Sequence, residues 1–234
     1  MKNLDDIADA IEREMDEKDA VRELALKSSR AVIRLAGSVI RGIHRKEDTD
    51  KMMEEMRDEL MKMLSILDGH PDLYHSGFVE NAFIEYSEAN IVAAVVKNLP
   101  FPTPAQLHVT SSAYLLGMGD AVGEFRRLAL NALRDHGDAA SAMEYLHIME
   151  AIHNMLMRFD YPEALLSVRR QQDISRSLVE KTSSEITLSV RTLELEHKLN
   201  HMIQHIGFGD RKGTGNRTGK TPAKPAHVRK RKKT

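Results

Sequence analysis

Two pairs of carboxylates stand at helical spacing within apolar stretches of the chain. Glu85 and Glu88 are three positions apart in the segment FVENAFIEYSEANIVAAVV, residues 78–96. Asp120 and Glu124 are four positions apart in the segment GMGDAVGEFRR. Either spacing places both side chains on one face of an α-helix, where their negative charges repel each other. A chain that keeps such pairs among buried residues needs a cation or a shared proton to offset the repulsion.

These side chains predict a divalent-metal site if two helices bring them together. Four carboxylates offer only oxygen ligands, and such sets suit hard cations such as Mg²⁺ or Mn²⁺. The glycines around the second pair, Gly117, Gly119 and Gly123, would let another backbone or a ligand come close. An antiparallel pairing of the two helices would produce this convergence. The alternative is that each pair forms a solvated stripe on a helix surface.

An all-α, elongated bundle of about six helices is expected to position these residues. The first helix shows apolar residues close to the 3.6-residue period, and no proline interrupts it. Pro71 starts the third helix, which carries the first acidic pair, and a proline-rich connection follows it. The predicted helices span residues 4–44, 52–67, 71–98, 110–133, 139–159 and 162–206. Helices of this length leave apolar surface that one subunit cannot cover, so we expect an oligomer.

Composition indicates a helical protein without disulfides or membrane spans. The 234 residues include no cysteine, no tryptophan and 13 methionines, so the core is expected to be aliphatic and rich in thioethers. The absence of cysteine excludes thiolate metal sites and a cysteine nucleophile. The acidic, amphipathic N-terminus is unlike a signal peptide, and no apolar run approaches the roughly 20 residues of a membrane span. We therefore expect a cytoplasmic protein.

Charge is distributed unevenly between two predicted domains, residues 1–206 and residues 207–234. The second contains ten Lys and Arg against one Asp, a net charge of +9, so the first carries −10 of the chain's net −1. This basic tail has almost no large apolar residues and is expected to be disordered. Its charge favours a polyanion as partner, and a purely solubilising tail is the alternative.

Arginines on two helices are candidates for holding substrate phosphates. Arg30 and Arg34 belong to a basic stripe on the first helix, and Arg126 and Arg127 directly follow the second acidic pair. A basic stripe on an otherwise acidic body is typical of a phosphate-facing surface. A solvated helix face with i,i+4 ion pairs explains the first-helix stripe equally well.

Four collinear segments resemble one family of proteins. FIEYSEANIV looks like the EYVEA segment of the translin family, and SAYLLGMGDAVGEFRRLALNAL looks like that family's YLLGVADLTGELMRM segment. LKSSRAVIRLAGSVIRGIHR is similar to the family's first helix, and RRQQDISRSLVEKTSSEITLSVR resembles its closing helix. The matches cover roughly residues 20–200 in the same order. The chain thus resembles the translin family, and within it the catalytic branch of translin-associated factor X.

The resemblance implies a translin-like fold and a Mg²⁺-dependent endoribonuclease that acts on single-stranded RNA, with single-stranded DNA as a further ligand. The family's catalytic acids fall here on Glu85, Glu88 and Asp120, and Glu124 takes a supporting role at the metal. The catalytic branch works inside a hollow octamer, so a homo-oligomer or a hetero-oligomer with a translin-like subunit is expected. The short connection at residues 99–110 suggests a compact, prokaryotic version.

Two other functions compete with the nuclease. A non-catalytic translin-like protein would bind single-stranded RNA or DNA, although the complete set of acids favours catalysis. Aromatic residues, the usual stacking platforms for single strands, form only 5% of the chain, so affinity would depend on charge. A di-metal carboxylate oxidase needs Glu-x-x-His pairs, and the residues three after Glu85 and Glu88 are Glu88 and Ile91.

Overall fold

A computed structural model describes residues 3–209, which form eight α-helices and no β-strand. The helices are α1 (Leu4–His44), α2 (Asp50–Ile66), α3 (Pro71–Tyr74), α4 (Gly77–Val96), α5 (Pro104–Leu107), α6 (Ser111–His136), α7 (Ala139–Leu156) and α8 (Arg169–Gly209). The all-α prediction is confirmed, and the two additional helices, α3 and α5, are single turns. Most of the predicted basic tail, residues 210–234, lies outside the described residues.

The predicted helix bounds agree closely for α1, α2, α6 and α7 and differ at two other helices. The predicted third helix is interrupted, because α3 ends at Tyr74 and Ser76 is extended before α4 begins. The last helix begins at Arg169 rather than Pro162, since the residues after Pro162 form a separate turn. No helix in the described part of the chain is long and apolar enough to cross a membrane.

The chain divides into two units, Met1–Arg191 and Thr192–Thr234. The first unit contains α1 to α7 and the first half of α8. The described part of the second unit is the remainder of α8, on which Leu195, Leu199 and Met202 are exposed. The boundary predicted from the sequence, after residue 206, falls within the second unit.

Helix α4 is the centre of the first unit, with α1 on one side and α6 on another. Buried apolar residues occur all around α4, among them Val79, Phe83 and Ile91, as is typical of a helix enclosed by its neighbours. The core is mainly aliphatic and thioether, as the composition predicts; its largest fully buried side chains include Met56, Leu60, Met63, Ile91, Met149 and Leu156. Packing on several sides holds the backbone of α4 in place, and with it the first acidic pair.

Helices α4 and α6 run parallel, which corrects the antiparallel pairing considered from the sequence. Ser112, near the start of α6, donates a hydrogen bond to Glu80, near the start of α4. Further along both helices, Gly117 lies against the backbone at Glu88. Contacts therefore advance in the same direction on both helices. The connection at residues 97–110 returns the chain to the end at which α4 began.

Candidate functional site

The structure brings the four predicted acids together where α4 and α6 pack. Glu85 and Glu88 lie on α4, and Asp120 and Glu124 lie at the matching level of α6. In addition to burial, the charge of Asp120 raises the pKa of Glu85, and the charges of the other three acids raise the pKa of Glu88. Repulsion of this kind requires the carboxylates to lie near one another. These four residues are called the acid cluster below.

Burial is the main cause of the raised pKa values in the acid cluster. Burial, followed by the neighbouring negative charges, raises the pKa of Glu88 to about 8. Burial also raises the pKa values of Glu85 and Asp120. Asp120 is more exposed to water than Glu85 and Glu88. A hydrogen bond from Gln171 and the charge of Arg170 lower its pKa and offset part of the effect of burial. Glu88 therefore holds a proton at neutral pH unless a cation compensates the negative charge.

Glycines on α6 set the distance between the two acid pairs. A Cβ on Gly117 would lie 2.5 Å from a backbone oxygen of α4 and 3.0 Å from the backbone nitrogen of Glu88, so only glycine allows this approach. A Cβ on Gly119 would lie 2.4 Å from Cγ of Gln171 on α8. A Cβ on Gly123 would meet no atom within 4 Å. The close approach expected from the glycines is thus present at the first two positions and absent at the third.

A histidine that the sequence analysis did not assign lies beside the acid cluster. His44 is the last residue of α1, its side chain is only 4% exposed, and its Nε2 contacts Oε2 of Glu124. Its other ring nitrogen, Nδ1, is buried without a hydrogen-bond partner among the described residues. His44 thus fixes Glu124 from the side of α1. The histidine was visible in the sequence as the end of the first-helix segment, but nothing in its spacing indicated contact with an acid.

The start of α8 brings two further polar side chains to Asp120. Gln171 donates a hydrogen bond to the Asp120 carboxylate, and Arg170 acts on it through its positive charge. The stem of Gln171 fills the space left by the missing side chain of Gly119. These residues are far from Asp120 in the sequence, so their contact depends on tertiary packing and could not be found from local patterns.

Arg126 and Arg127, both predicted to hold phosphates, lie in different surroundings. Arg127 is exposed, and its Nη1 lies 3.8 Å from Oε2 of Glu124, at the edge of the acid cluster. Arg126 instead donates to both carboxylate oxygens of Glu185, at 2.8 and 3.1 Å, and to Oγ1 of Thr182, at 2.9 Å. These bonds hold α6 to α8. Arg127 is therefore available to a ligand, whereas the guanidinium of Arg126 is engaged within the fold.

Arg30 and Arg34 lie on the exposed side of α1. Burial raises the pKa of Glu59 of α2, but hydrogen bonds from Ser28 and Lys62 and the charges of Lys62 and Arg34, in that order, lower it below its ordinary value. The exposed position leaves both arginines accessible to a polyanion. Their surroundings fit the solvated helix face as well as they fit a phosphate-binding surface.

The donor set of the acid cluster fits a hard divalent cation by its chemistry. Carboxylate oxygens are the ligands that Mg²⁺ and Mn²⁺ prefer, and a cation would offset the cost of ionising these partly buried carboxylates. Among the described residues, no group of three or more His, Asp or Glu side chains already stands in metal-binding geometry.

The fold and the site together define an α-helical protein in which two parallel helices present four carboxylates. The sequence pattern of the translin family matches residues 73–192, about half of the chain, and this match includes the whole acid cluster. The chain belongs to the translin family, which confirms the resemblance found in the sequence.

Relatives of the chain cover most of its length. An uncharacterised protein of Methanocaldococcus jannaschii is 32% identical over 185 residues, 78% of this chain and 82% of that protein. The crystal structure of AfC3PO is 31% identical with a TM-score of 0.67, and its complex with duplex RNA is 30% identical with a TM-score of 0.66; each match covers 79% of this chain and 97% of that chain. The crystal structure of apo-NeC3PO, 22% identical with a TM-score of 0.64, covers 81% of this chain and 98% of that chain and shows a shared fold.

Proposed function

We propose that this chain is a Mg²⁺-dependent endoribonuclease that cuts single-stranded RNA, with Mn²⁺ as an alternative ion. The observation that carries the proposal is the acid cluster, in which burial raises the pKa values of Glu85, Glu88 and Asp120, and repulsion from neighbouring carboxylates raises those of Glu85 and Glu88 further. Such an arrangement costs stability, and a fold keeps it where a function needs it. AfC3PO, a relative at 30% identity, has been solved with duplex RNA, which supports RNA as the ligand.

We assign a separate role at the proposed metal site to each residue of the acid cluster. Glu85, Glu88 and Asp120 would hold the cation, and Glu124, on the same face of α6 as Asp120, would support it. When bound, Mg²⁺ supplies Lewis acidity and an activated water for phosphodiester hydrolysis. His44 keeps Glu124 in place through its Nε2.

Basic side chains at the rim of the acid cluster would hold the RNA backbone. Arg127 of α6 and Arg170 of α8 are exposed cations that interact with members of the acid cluster. Arg30 and Arg34 would contact more distant phosphates. Contacts of this kind give binding that does not depend on base sequence and that weakens as salt is added.

We also propose that the chain acts as an oligomer, either a homo-octamer or a hetero-oligomer with a translin-like subunit. The first half of α1 has a row of exposed apolar side chains at helical spacing: Leu4, Ile7, Ile11 and Met15. Burying this row against another subunit would remove apolar surface from water. The mass of the purified protein in solution, measured by light scattering, tests the assembly directly.

Cleavage of a labelled single-stranded RNA tests the proposed reaction. The purified chain is assayed with Mg²⁺, with EDTA and as Glu88→Gln, next to a duplex and a single-stranded DNA of the same sequence. The matched control is Glu144→Gln, the same change at an exposed position of α7. We expect cleavage by the control and a loss of roughly 100-fold or more in EDTA and in Glu88→Gln.

Two results would contradict the proposal. Cleavage that continues in EDTA would exclude a role for the divalent ion. RNA binding without cleavage under every condition would indicate the non-catalytic, translin-like alternative, in which the acids no longer hold a catalytic ion.

A further inference from the structure

A second concave site lies along the same pair of helices as the acid cluster. It is a cavity of about 300 Å³ between α3, the first turns of α4 and the start of α6, and Leu165 from the turn before α8 closes one side. Its size is at the lower end of the range for ligand pockets, which suits a single flat ring system rather than a larger ligand. We call it the aromatic cavity.

Aromatic rings are concentrated in this cavity, although the chain has few of them. The ring centroid of Tyr74 lies 5.0 Å from that of His75 and 5.6 Å from that of Phe83. Phe83 is buried and packs against Tyr74 with its ring tilted, whereas Tyr74 is half-buried and His75 is exposed. The whole chain has only 6 Phe and 5 Tyr. Exposed rings in a cavity are the usual platforms on which unpaired bases stack.

The polar groups of the aromatic cavity suit a base rather than a phosphate. Glu80 lines the cavity, and its Oε1 accepts one long hydrogen bond, 3.4 Å from Oγ of Ser112. A carboxylate repels phosphate but can accept hydrogen bonds from two neighbouring N–H groups through its two oxygens. Guanine presents two such donors side by side on its Watson–Crick edge, whereas uracil and cytosine do not.

Thr110, just before α6, adds a second polar group to the lining of the cavity. Its Oγ1 accepts a hydrogen bond from the backbone N–H of Ala113, at 3.2 Å, and so caps α6. A hydroxyl that accepts this bond can still donate one to a ligand. The cavity therefore offers both an acceptor and a donor to a base that stacks on Tyr74.

The aromatic cavity lies a short distance from the acid cluster along the same two helices. Glu80 precedes Glu88 on α4, and Ser112 precedes Asp120 on α6, in both cases by two helical turns, or about 12 Å. Because the helices are parallel, both offsets point in the same direction. An RNA strand with a phosphate at the acid cluster can therefore reach the aromatic cavity with a base a short distance along the strand.

We propose that the aromatic cavity binds one base of the RNA near the cleaved phosphate and that guanine fits it best. Tyr74 is the stacking platform, and Glu80 accepts the two guanine donors. This inference rests on the proposed ribonuclease function, because the bound RNA brings the base to the cavity. Its consequence is a cut at a fixed distance from guanine.

Binding of short RNAs in EDTA tests the cavity separately from catalysis. Two labelled oligonucleotides are compared by fluorescence anisotropy: oligouridine and the same strand with one central guanine. We expect the full chain to bind the guanine strand roughly tenfold more tightly. Glu80→Gln should remove this ratio, and Tyr74→Leu should weaken the binding of both strands. Glu144→Gln, the matched control on α7, should keep the ratio.

The outcomes separate this inference from the nuclease itself. A guanine preference that Glu80→Gln abolishes supports the cavity even if no RNA is cleaved. Equal affinity for the two strands, or a preference that survives Glu80→Gln, overturns the inference even if cleavage depends on Mg²⁺ as proposed. Mapping of cut positions in a mixed-sequence RNA provides a second readout, and cuts that ignore guanine would also overturn it.

Discussion

Carboxyl groups at two faces of α6 have pKa values that are shifted in opposite directions. Toward α4, Asp120 and Glu124 meet two other carboxylates, and the pKa of Glu88 rises to about 8. Toward α8, Arg126 donates to both oxygens of Glu185, and the pKa of Glu185 falls as a result. The two faces belong to neighbouring turns of one helix, so the difference comes from the burial and from the partners that the fold supplies.

The direction of the pKa shift shows whether the ionised form of a carboxylate stabilises or destabilises the folded chain. Glu185 ionises more easily in the folded chain, so its charge contributes to stability. Glu88 ionises less easily, so the folded chain holds it at a cost that other contacts must offset. This contrast yields predictions for both faces of α6.

The largest effect is expected at the acid cluster. Asp120→Asn keeps the size of the side chain and removes its negative charge, so single-turnover cleavage of RNA should slow by roughly 100-fold or more. Asp173→Asn, the same change at an exposed position of α8, is the matched control. An Asp120→Asn protein that cleaves at the normal rate would remove Asp120 from the catalytic set.

The second effect concerns the distance between α4 and α6. Gly117→Ala adds a Cβ against the backbone of α4, which should destabilise the protein by about 2 kcal/mol or more because backbone atoms cannot move aside easily. Gly123→Ala adds the same atom where nothing lies within 4 Å and should be neutral or stabilising. Urea denaturation of both variants measures the difference, and equal midpoints would show that α4 and α6 are not in close contact.

The third effect is a pH dependence of stability. The unfolded chain ionises Glu88 near its ordinary pKa of 4.5, whereas the folded chain does so at about 8. The contribution of Glu88 to stability is therefore complete below the first value and is lost as the pH rises to the second. In EDTA near the upper value, Glu88→Gln should be more stable than the natural chain by roughly 2 kcal/mol.

The pH profile contains its own controls. Near the lower pKa value the two proteins should unfold at similar denaturant concentrations, because both then have a neutral side chain at this position. Added Mg²⁺ should stabilise the natural chain more than the variant at the higher pH. Parallel profiles for the two proteins across this range would show that Glu88 is not desolvated as described.

The smallest effects distinguish two adjacent arginines. Arg126→Met breaks the bonds to Glu185 and Thr182 and should cost about 1 kcal/mol of stability with cleavage retained. Arg127→Met should leave stability unchanged but weaken RNA binding at low salt and reduce its salt dependence. Denaturation curves and salt titrations of both variants check this division. A loss of RNA binding in Arg126→Met alone would reverse it.

Local spacing predicted which acids would share a helix face, but it did not predict how the helices meet. A three-residue spacing places Glu85 and Glu88 on the same face of any helix, so their pairing follows from the sequence alone. The hydrophobic period likewise predicts α1 from its first to its last residue. The parallel course of α4 and α6 depends on the path of the connection between them. The contact of His44 with Glu124 has no local signal for the same reason.

The two adjacent arginines also show that the sequence does not predict which residues meet in the folded chain. Arg126 and Arg127 have the same side chain and follow the same acid, so the sequence predicts the same role for both. On a helix, neighbours point about 100° apart, because 3.6 residues complete one turn. Only the position of α8 decides which of the two meets Glu185 and which meets solvent.

The return path between α4 and α6 has a consequence for how such proteins diverge. Residues 97–110 only have to span the length of α4 back to its starting end, and a longer segment would do so with little added entropic cost. Insertions there would leave both acid pairs in register, whereas one inserted residue inside either helix would rotate a pair out of the site. A search of genomes for related proteins should therefore fix the spacing within E-x-x-E and within G-x-G-D-x-x-x-E, and let the interval between the two motifs vary freely.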